Sequence, residues 1–153
     1  MGWDRETEKS WKVVYRIITV LLALADLAER ASLRSRPILC LVLWALRPAE
    51  TIARTFVLET AHDLGVTTTL PVAAYSGERA EDALRLALTF RVLAAVLDSL
   101  AALAFAQGRI FCQAGLDRLL SALTTAFAAE TQRRLMAETR GLTRCAPSCP
   151  DTS

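Results

Sequence analysis

The sequence predicts an all-α protein, a bundle of four or five helices whose last two form a long antiparallel hairpin. Ala, Leu and Arg, which are the strongest helix formers, dominate the chain, while aromatic residues make up only 7%. Polar residues recur every three, four or seven positions along the first segment, as expected for a narrow polar stripe on one helix. The only β-prone stretch, near 66–76, is too short to form a sheet.

The first half of the chain is expected to contain a helix over 8–34 and a second helical region over 37–64. Pro37 suits the first position of a helix, where its missing N–H is not needed. Pro48 either kinks this region or divides it into two shorter helices. Gly65 is expected to close it with a left-handed cap.

The second half is predicted to consist of a connector over 65–77 and the antiparallel helical hairpin over 78–140. A turn at Gly108 joins the two helices of the hairpin, and so short a connection requires them to lie side by side. These elements form a single helical domain over 1–141. The segment 142–153, with its Pro and Ser residues, is expected to be a disordered tail.

The composition lies on the border between soluble and membrane proteins. Of the 153 residues, 53% are hydrophobic and 22% are charged, and the mean hydropathy is +0.31. This is more apolar than an ordinary soluble domain and more charged than an ordinary multi-span membrane protein. The net charge of +2 is spread along the chain, so no nucleic-acid partner is expected.

Two charged residues interrupt the most apolar stretch, 86–106. Arg91 and Asp98 are seven positions apart and therefore lie on one face of a helix. Asp26 and Arg30 on the first helix are their candidate partners. We therefore predict that these four residues form buried ion pairs, either inside a membrane or at a helix interface of a soluble bundle.

Catalytic chemistry is not favoured. His62 is the only histidine, the two lysines lie near the N-terminus, and no phosphate-binding glycine motif occurs. Glu59 and His62 share the spacing of a di-iron ligand pair, but such a site needs two of these units and therefore a symmetric dimer. We predict no catalytic residue, cofactor or metal, and keep the dimeric di-metal enzyme as a third hypothesis.

The four cysteines do not form the dense pattern of a disulfide scaffold, which indicates a reducing compartment. Cys145 and Cys149 in the tail could hold a metal or pair with each other, but two thiols are only half of a zinc site. Cys40 and Cys112 lie in apolar helical surroundings and are expected to pack as small hydrophobic side chains.

The function expected from these patterns is that of a small membrane-associated helical protein acting by helix packing, as a scaffold, accessory subunit or assembly factor. Trp11 and Tyr15, among basic residues of the first helix, suit lipid headgroups. The expected partners are a lipid bilayer or a membrane protein, together with further copies of the chain. The expected location is the inner membrane of a bacterium, integral or peripheral on the cytoplasmic side, because the Ala, Leu and Arg bias suggests a GC-rich bacterial genome.

The alternative is a soluble homo-oligomeric bundle with a regulatory or ligand-binding role. The two hypotheses differ in where the apolar side of the first helix and the stretch 86–106 lie. In the membrane hypothesis these surfaces face lipid, whereas in the soluble hypothesis they meet protein.

Overall fold

A computed structural model of the chain describes residues 3–71, 77–109 and 115–125, together with residues 128, 132, 135 and 136. The described residues are helical apart from turns and an extended connector, and none of them forms a strand, so the predicted all-α class is confirmed. The helices are α1 (Trp3–Ser32), α2 (Arg36–Asp63), α3 (Ala80–Ala106) and the described part of α4, residues 115–125. The predicted tail, 142–153, lies outside the described residues.

The first two helices differ slightly from the sequence prediction. α1 begins at Trp3 rather than at residue 8, and α2 is one continuous helix although Pro48 lies inside it. Residues on both sides of the proline, including Leu46 and Ala49, are buried in the same core. This shared burial explains why α2 continues past the hydrogen bond that Pro48 cannot donate.

Two glycines end helices as the sequence predicts. Gly65 and Gly108 have φ angles of 72° and 63°, in the left-handed region that lacks a steric cost only for glycine. After α2, the amide of Gly65 donates to the carbonyl of His62 and the amide of Val66 donates to that of Ala61. The same double pattern follows α3, so both helices end in a Schellman motif.

Helix α3 lies antiparallel to α1. Near the end of α3, the ring of Phe105 packs edge-on against Trp11, with 5.4 Å between ring centroids. Nearer its start, Arg91 forms an ion pair with Glu29, which belongs to the last third of α1. Contacts at both ends of the helix therefore fix its direction.

The two described parts of the connector between α2 and α3, up to Pro71 and from Gly77, both lie against α2. Arg54 binds the backbone of Pro71 and Arg47 binds that of Gly77, so the chain moves back towards the start of α2. Farther along, Arg109 after α3 donates to the carbonyl of Asp63 at the end of α2. α2 and α3 are therefore parallel, as in four-helix bundles that contain one long crossover.

Helix α4 packs on α2. A β-carbon added to Gly115 would lie 3.5 Å from Phe56 in the second half of α2. Earlier in the chain, Arg109 lies at Asp63, the end of α2. α4 therefore starts back along α2, in the reversed direction that the predicted hairpin requires. Residues 110–114 and most of 126–140, which belong to that predicted hairpin, lie outside the described residues.

The core is built mainly from leucine and alanine and is contributed by all four helices. The apolar side of α1 is fully enclosed, with Val14, Ile17 and Leu21 at most 1% exposed. Burying each such large apolar side chain contributes about 1.5–3 kcal/mol. The apolar side of α1 thus meets protein, so the expectation that it faces lipid is wrong for this helix.

Candidate interaction surface

The charged residues in the middle of α2 lie on the side of the helix that faces the protein, whereas Arg36 at its start and Glu59 near its end are exposed. Arg47, Glu50 and Arg54 are separated by three and four positions and therefore form one stripe. Such a stripe normally marks the solvent side of a helix. Here the connector covers it, and Glu50 is only 6% exposed.

Hydrogen bonds inside the chain pair Glu50 with Arg54, whereas Arg47 binds a backbone carbonyl and its Nε is buried without a hydrogen-bond partner. The guanidinium of Arg54 donates to Oε1 of Glu50 from Nε at 2.9 Å and from Nη2 at 2.7 Å, and Nη1 donates to the carbonyl of Pro71 at 2.6 Å. Arg47 donates from Nη2 to the carbonyl of Gly77, also at 2.6 Å. The two arginines therefore hold the crossover connector against α2.

The outer side of the middle of α2, in contrast, carries no charge. α2 is described along its whole length, and between Arg36 and Glu59 every exposed residue is uncharged. These 22 intervening positions give a face roughly 30 Å long at the helical rise of about 1.5 Å per residue. We call it the neutral face; its exposed residues are Pro37, Ile38, Trp44, Pro48, Thr51, Ile52, Thr55 and Leu58.

The two threonines of the neutral face direct their hydroxyl groups back to the helix. Thr51 donates to the carbonyl of Arg47 at 3.2 Å, and Thr55 donates to the carbonyl of Thr51 at 3.0 Å. These hydroxyl donors are thus satisfied without water. With Trp44 57% exposed and Leu58 42% exposed, the neutral face is apolar in its chemistry as well as uncharged.

Arg91 forms ion pairs with two carboxylates of α1. One of them, Asp26, is among the partners that the sequence predicts. Nη2 of Arg91 lies 3.6 Å from Oδ1 of Asp26, and Nη1 lies 2.8 Å from Oε1 of Glu29. The side chains are 47%, 60% and 38% exposed, respectively, so this cluster lies at the surface of the single chain. The burial that the sequence predicts for the ion pair of Arg91 and Asp26 would require a second surface to cover this cluster. That burial stays a prediction.

Asp98 and Arg30, the other two candidates, are also exposed. The structure brings neither of them to Arg91 or Asp26 in an ion pair: within the described ranges, the ion pairs of Arg91 are those with Asp26 and Glu29. The side chain of Asp98 lies on the same side of α3 as Arg91, seven positions farther along the helix. It is therefore available to a partner outside the chain.

α3 is the one helix among the described residues that is long and apolar enough to cross a membrane. An 18-residue window within it has a mean hydropathy of 1.9, but half of that window is buried inside the bundle. A core helix of a soluble protein has the same properties. The apolar composition of α3 therefore agrees with either hypothesis.

The residues considered for metal chemistry do not converge. Glu59 and His62 are both exposed on the last two turns of α2. No group of three or more possible metal ligands is found in the parts of the chain that the structure describes. Cys112, Cys145 and Cys149 lie outside those parts, so the predictions for them are not addressed.

Cys40 contacts the start of the segment that leads into α3. Its Sγ donates to Oε2 of Glu78 at 3.4 Å. Burial raises the pKa of the Cys40 thiol, and the hydrogen bond and negative charge of Glu78 raise it further, whereas Arg36 acts in the opposite direction. This cysteine is therefore held in its protonated, less nucleophilic form.

No family model, no curated protein and no solved structure matches the chain.

The sequence prediction missed the buried pair Glu50 and Arg54. Its signal was available, because Glu followed by Arg four positions later is a favourable ion-pair spacing on a helix. The spacing cannot show which side of the helix is covered, because apolar residues occur on several sides of α2. Only the path of the connector reveals that the charged side faces inward.

Proposed function

We propose that the protein is a small membrane-associated helical protein that acts by helix packing, as a scaffold, accessory subunit or assembly factor. The observation that carries this proposal is the inverted polarity of α2. The charged residues in its middle, Arg47, Glu50 and Arg54, are turned to the protein, and between Arg36 and Glu59 its outer side presents a neutral face about as long as the roughly 30 Å hydrocarbon core of a bilayer.

The chemistry of the inward-facing charges supports this assignment. Ionisable residues of membrane segments face the bundle interior and pair with one another or with backbone carbonyls. Glu50 and Arg54 pair with each other, and Arg54 and Arg47 bind connector carbonyls. In water, the same residues would gain more from facing the solvent, because burying an ion pair costs desolvation energy.

The proposed partner is a lipid bilayer or an apolar surface of a membrane protein, contacted through α2 rather than through the apolar side of α1. The proposed location is the bacterial inner membrane, on its cytoplasmic side. The neutral face offers no positive charge to anionic headgroups, so binding through it would depend on apolar contact and should resist high salt.

The second candidate is a soluble homo-oligomeric bundle with a regulatory or ligand-binding role. The observation that favours it is the burial of the apolar side of α1 and of half of the apolar window of α3 within one chain. An open apolar groove of about 420 Å³ between the connector and α3, lined by Val66, Val92 and Val96 among others, is a possible ligand site.

The experiment is fractionation of cells expressing the full untagged chain, followed by an alkaline carbonate wash and by flotation of purified protein with phospholipid vesicles. We expect the chain in the membrane pellet and with the vesicles. A chain wholly in the soluble fraction would refute membrane association and favour the second candidate. Binding to native membranes without binding to vesicles would identify a membrane protein as the partner.

Matched variants test the role of the neutral face. Thr51→Glu with Leu58→Glu places two charges on it, and Thr19→Glu with Leu22→Glu places two on the exposed side of α1. Leu58 and Leu22 are 42% and 44% exposed, and both threonines donate to the carbonyl four residues earlier. Only the α2 variant should leave the membrane while keeping its helical circular dichroism. Equal retention of both would refute the neutral face as the contact.

A further inference from the structure

An exposed stripe runs along the whole of α3, on the side that includes Arg91. Its residues alternate at spacings of four and three positions, the spacing with which one helix of a coiled coil presents a seam to another. All of them are exposed in the single chain. We call this stripe the α3 seam; its residues are Leu84, Leu88, Arg91, Ala95, Asp98, Ala102 and Phe105.

The α3 seam is too apolar to be an ordinary solvent-facing stripe. Leu84, Leu88 and Phe105 are 50%, 62% and 63% exposed. In a surface helix these positions normally carry charged or polar side chains. The seam therefore has the composition of a helix interface although one chain leaves it open.

The α3 seam is complementary to a second copy of itself that runs in the opposite direction. Arg91 lies four positions before Ala95, and Asp98 lies three positions after it. If two copies of α3 cross antiparallel at Ala95, each Arg91 therefore comes opposite Asp98 of the other copy. The same register brings Leu88 opposite Ala102 and Leu84 opposite Phe105, so large side chains meet smaller or aromatic ones.

We propose that two copies of this chain associate through the α3 seam in a two-fold symmetric, antiparallel pair in which Arg91 of each copy binds Asp98 of the other. A two-fold interface uses the same surface of both chains, which is what a self-complementary seam provides. Ala95 at the axis and Ala102 opposite Leu88 have small side chains, which let the backbones approach closely.

The contacts of Arg91 within the chain leave it able to bind a further carboxylate. Nη1 is 2.8 Å from Glu29, but Nη2 is 3.6 Å from Asp26, which is long for a charge-assisted hydrogen bond. An arginine has five N–H donors in a fixed fork and can serve several acceptors at once. Asp98 supplies the carboxylate, and in the described parts of the chain no ion pair is formed by it.

This inference does not depend on membrane association. The α3 seam and the neutral face are on different helices, so variants of one leave the other intact. A chain that is soluble but dimeric would refute the function proposed above and support the seam, and a membrane-bound monomer would do the reverse.

The first test is the mass of the purified full chain by light scattering, in buffer or, for chain extracted from membranes, in detergent corrected for bound micelle. The wild type should have twice the chain mass of 16.7 kDa. Asp98→Arg places four arginines near the axis and should weaken self-association more than about tenfold, because like charges across an interface repel each other. A monomeric wild type, or a D98R variant that dimerises equally well, would overturn the proposal.

Charge reversal supplies the decisive control. Arg91→Asp alone should also be monomeric, because carboxylates then face one another across the axis. A mixture of R91D and D98R chains restores both oppositely charged pairs and should contain heterodimers that neither variant forms with itself. Absence of heterodimers, when both variants keep wild-type circular dichroism, would contradict the proposed register.

A third variant avoids the ion pairs of Arg91 within the chain. Ala95→Glu places two glutamates near the axis and should abolish the dimer, whereas Ala23→Glu, at an exposed alanine of α1, should not. If A95E remained a dimer, the axis could not lie at Ala95, even if charge reversal had weakened association for another reason.

Cross-linking tests the direction of the two helices. In a background with the four native cysteines replaced by serine, Ala95→Cys should form a disulfide-linked dimer on oxidation. Ala106→Cys should not, because an antiparallel pair places the two copies of residue 106 about 30 Å apart. Efficient cross-linking at residue 106 would indicate a parallel pair and overturn the proposal.

Discussion

Arg54 donates two hydrogen bonds to a single carboxylate oxygen of Glu50, at 2.9 and 2.7 Å, across one turn of α2. The carboxylate is buried, and the third contact of the guanidinium is to the carbonyl of Pro71 in the connector. The side chain of Arg54 thus links the buried side of α2 to the crossover connector, and this connector makes α2 and α3 parallel.

Removal of the buried carboxylate should therefore destabilise the fold. In Glu50→Ala the guanidinium of Arg54, whose side chain is 20% exposed, loses its charge partner, and we expect a loss of about 3 kcal/mol in the free energy of unfolding, the lower end of the range for a broken buried pair. The matched control is Glu8→Ala, which removes the exposed i,i+4 pair with Lys12 and should have no measurable effect. Equal effects in urea denaturation would contradict a structural role for Glu50.

The course of the connector is the part of the fold that the sequence could not supply. Local signals predicted α3 closely, because acidic residues occupy its first turn and Gly108 follows its end. The connector has no periodicity and no charge between Leu64 and Gly77. Its position depends on hydrogen bonds from Arg47 and Arg54, which come from a different element and are encoded by no local pattern.

The candidate surface was predictable only in part, for a related reason. The spacing of Arg91 and Asp98 correctly places them on one face of α3, but spacing alone cannot tell whether a face is covered within the chain or by a partner. The same ambiguity concealed the inverted polarity of α2. Helical periodicity reports which residues share a side, whereas tertiary packing decides what that side meets.

A side chain at Gly77 should displace the carboxylate of Asp82, because a β-carbon there would collide with it. That carboxylate accepts a hydrogen bond from the amide of Arg79 at 3.0 Å and so caps the start of α3. Gly77→Ala should cost about 1 kcal/mol, the usual value of a helix cap, as measured by chemical denaturation.

A double variant separates the loss of the cap from other effects of the methyl group. If displacement of Asp82 is the cause, Asp82→Ala should cost a similar amount, and G77A with D82A together should cost little more than either alone. Fully additive losses would show that Gly77 matters for another reason, such as its contact with Arg47.

Glu78 should slow the reaction of Cys40 with alkylating reagents. Burial and Glu78 raise the pKa of the thiol, so at mildly alkaline pH less of it is the reactive thiolate. Glu78→Gln removes the negative charge, lowers that pKa, and should accelerate alkylation of Cys40 several-fold at about pH 8, near the usual pKa of a free cysteine. Peptide-level mass spectrometry distinguishes Cys40 from the other cysteines, and Glu81→Gln, an exposed acid in the first turn of α3, serves as the control.

Two glycine-to-alanine changes should affect stability with opposite signs. At Gly65, φ is 72° and a β-carbon would have no neighbour within 4 Å, so alanine incurs only the backbone cost of the left-handed region, about 1–2 kcal/mol. At Gly115, the first described residue of α4, a β-carbon would make an ordinary contact with Phe56 at 3.5 Å, and alanine should stabilise the helix by about 0.5–1 kcal/mol.

Thermal denaturation of the two variants therefore tests the Schellman motif after α2 and the packing of α4 on that helix. A destabilised Gly115→Ala variant would mean that α4 approaches Phe56 more closely than described, whereas an unchanged Gly65→Ala variant would show that the end of α2 relaxes without its left-handed residue.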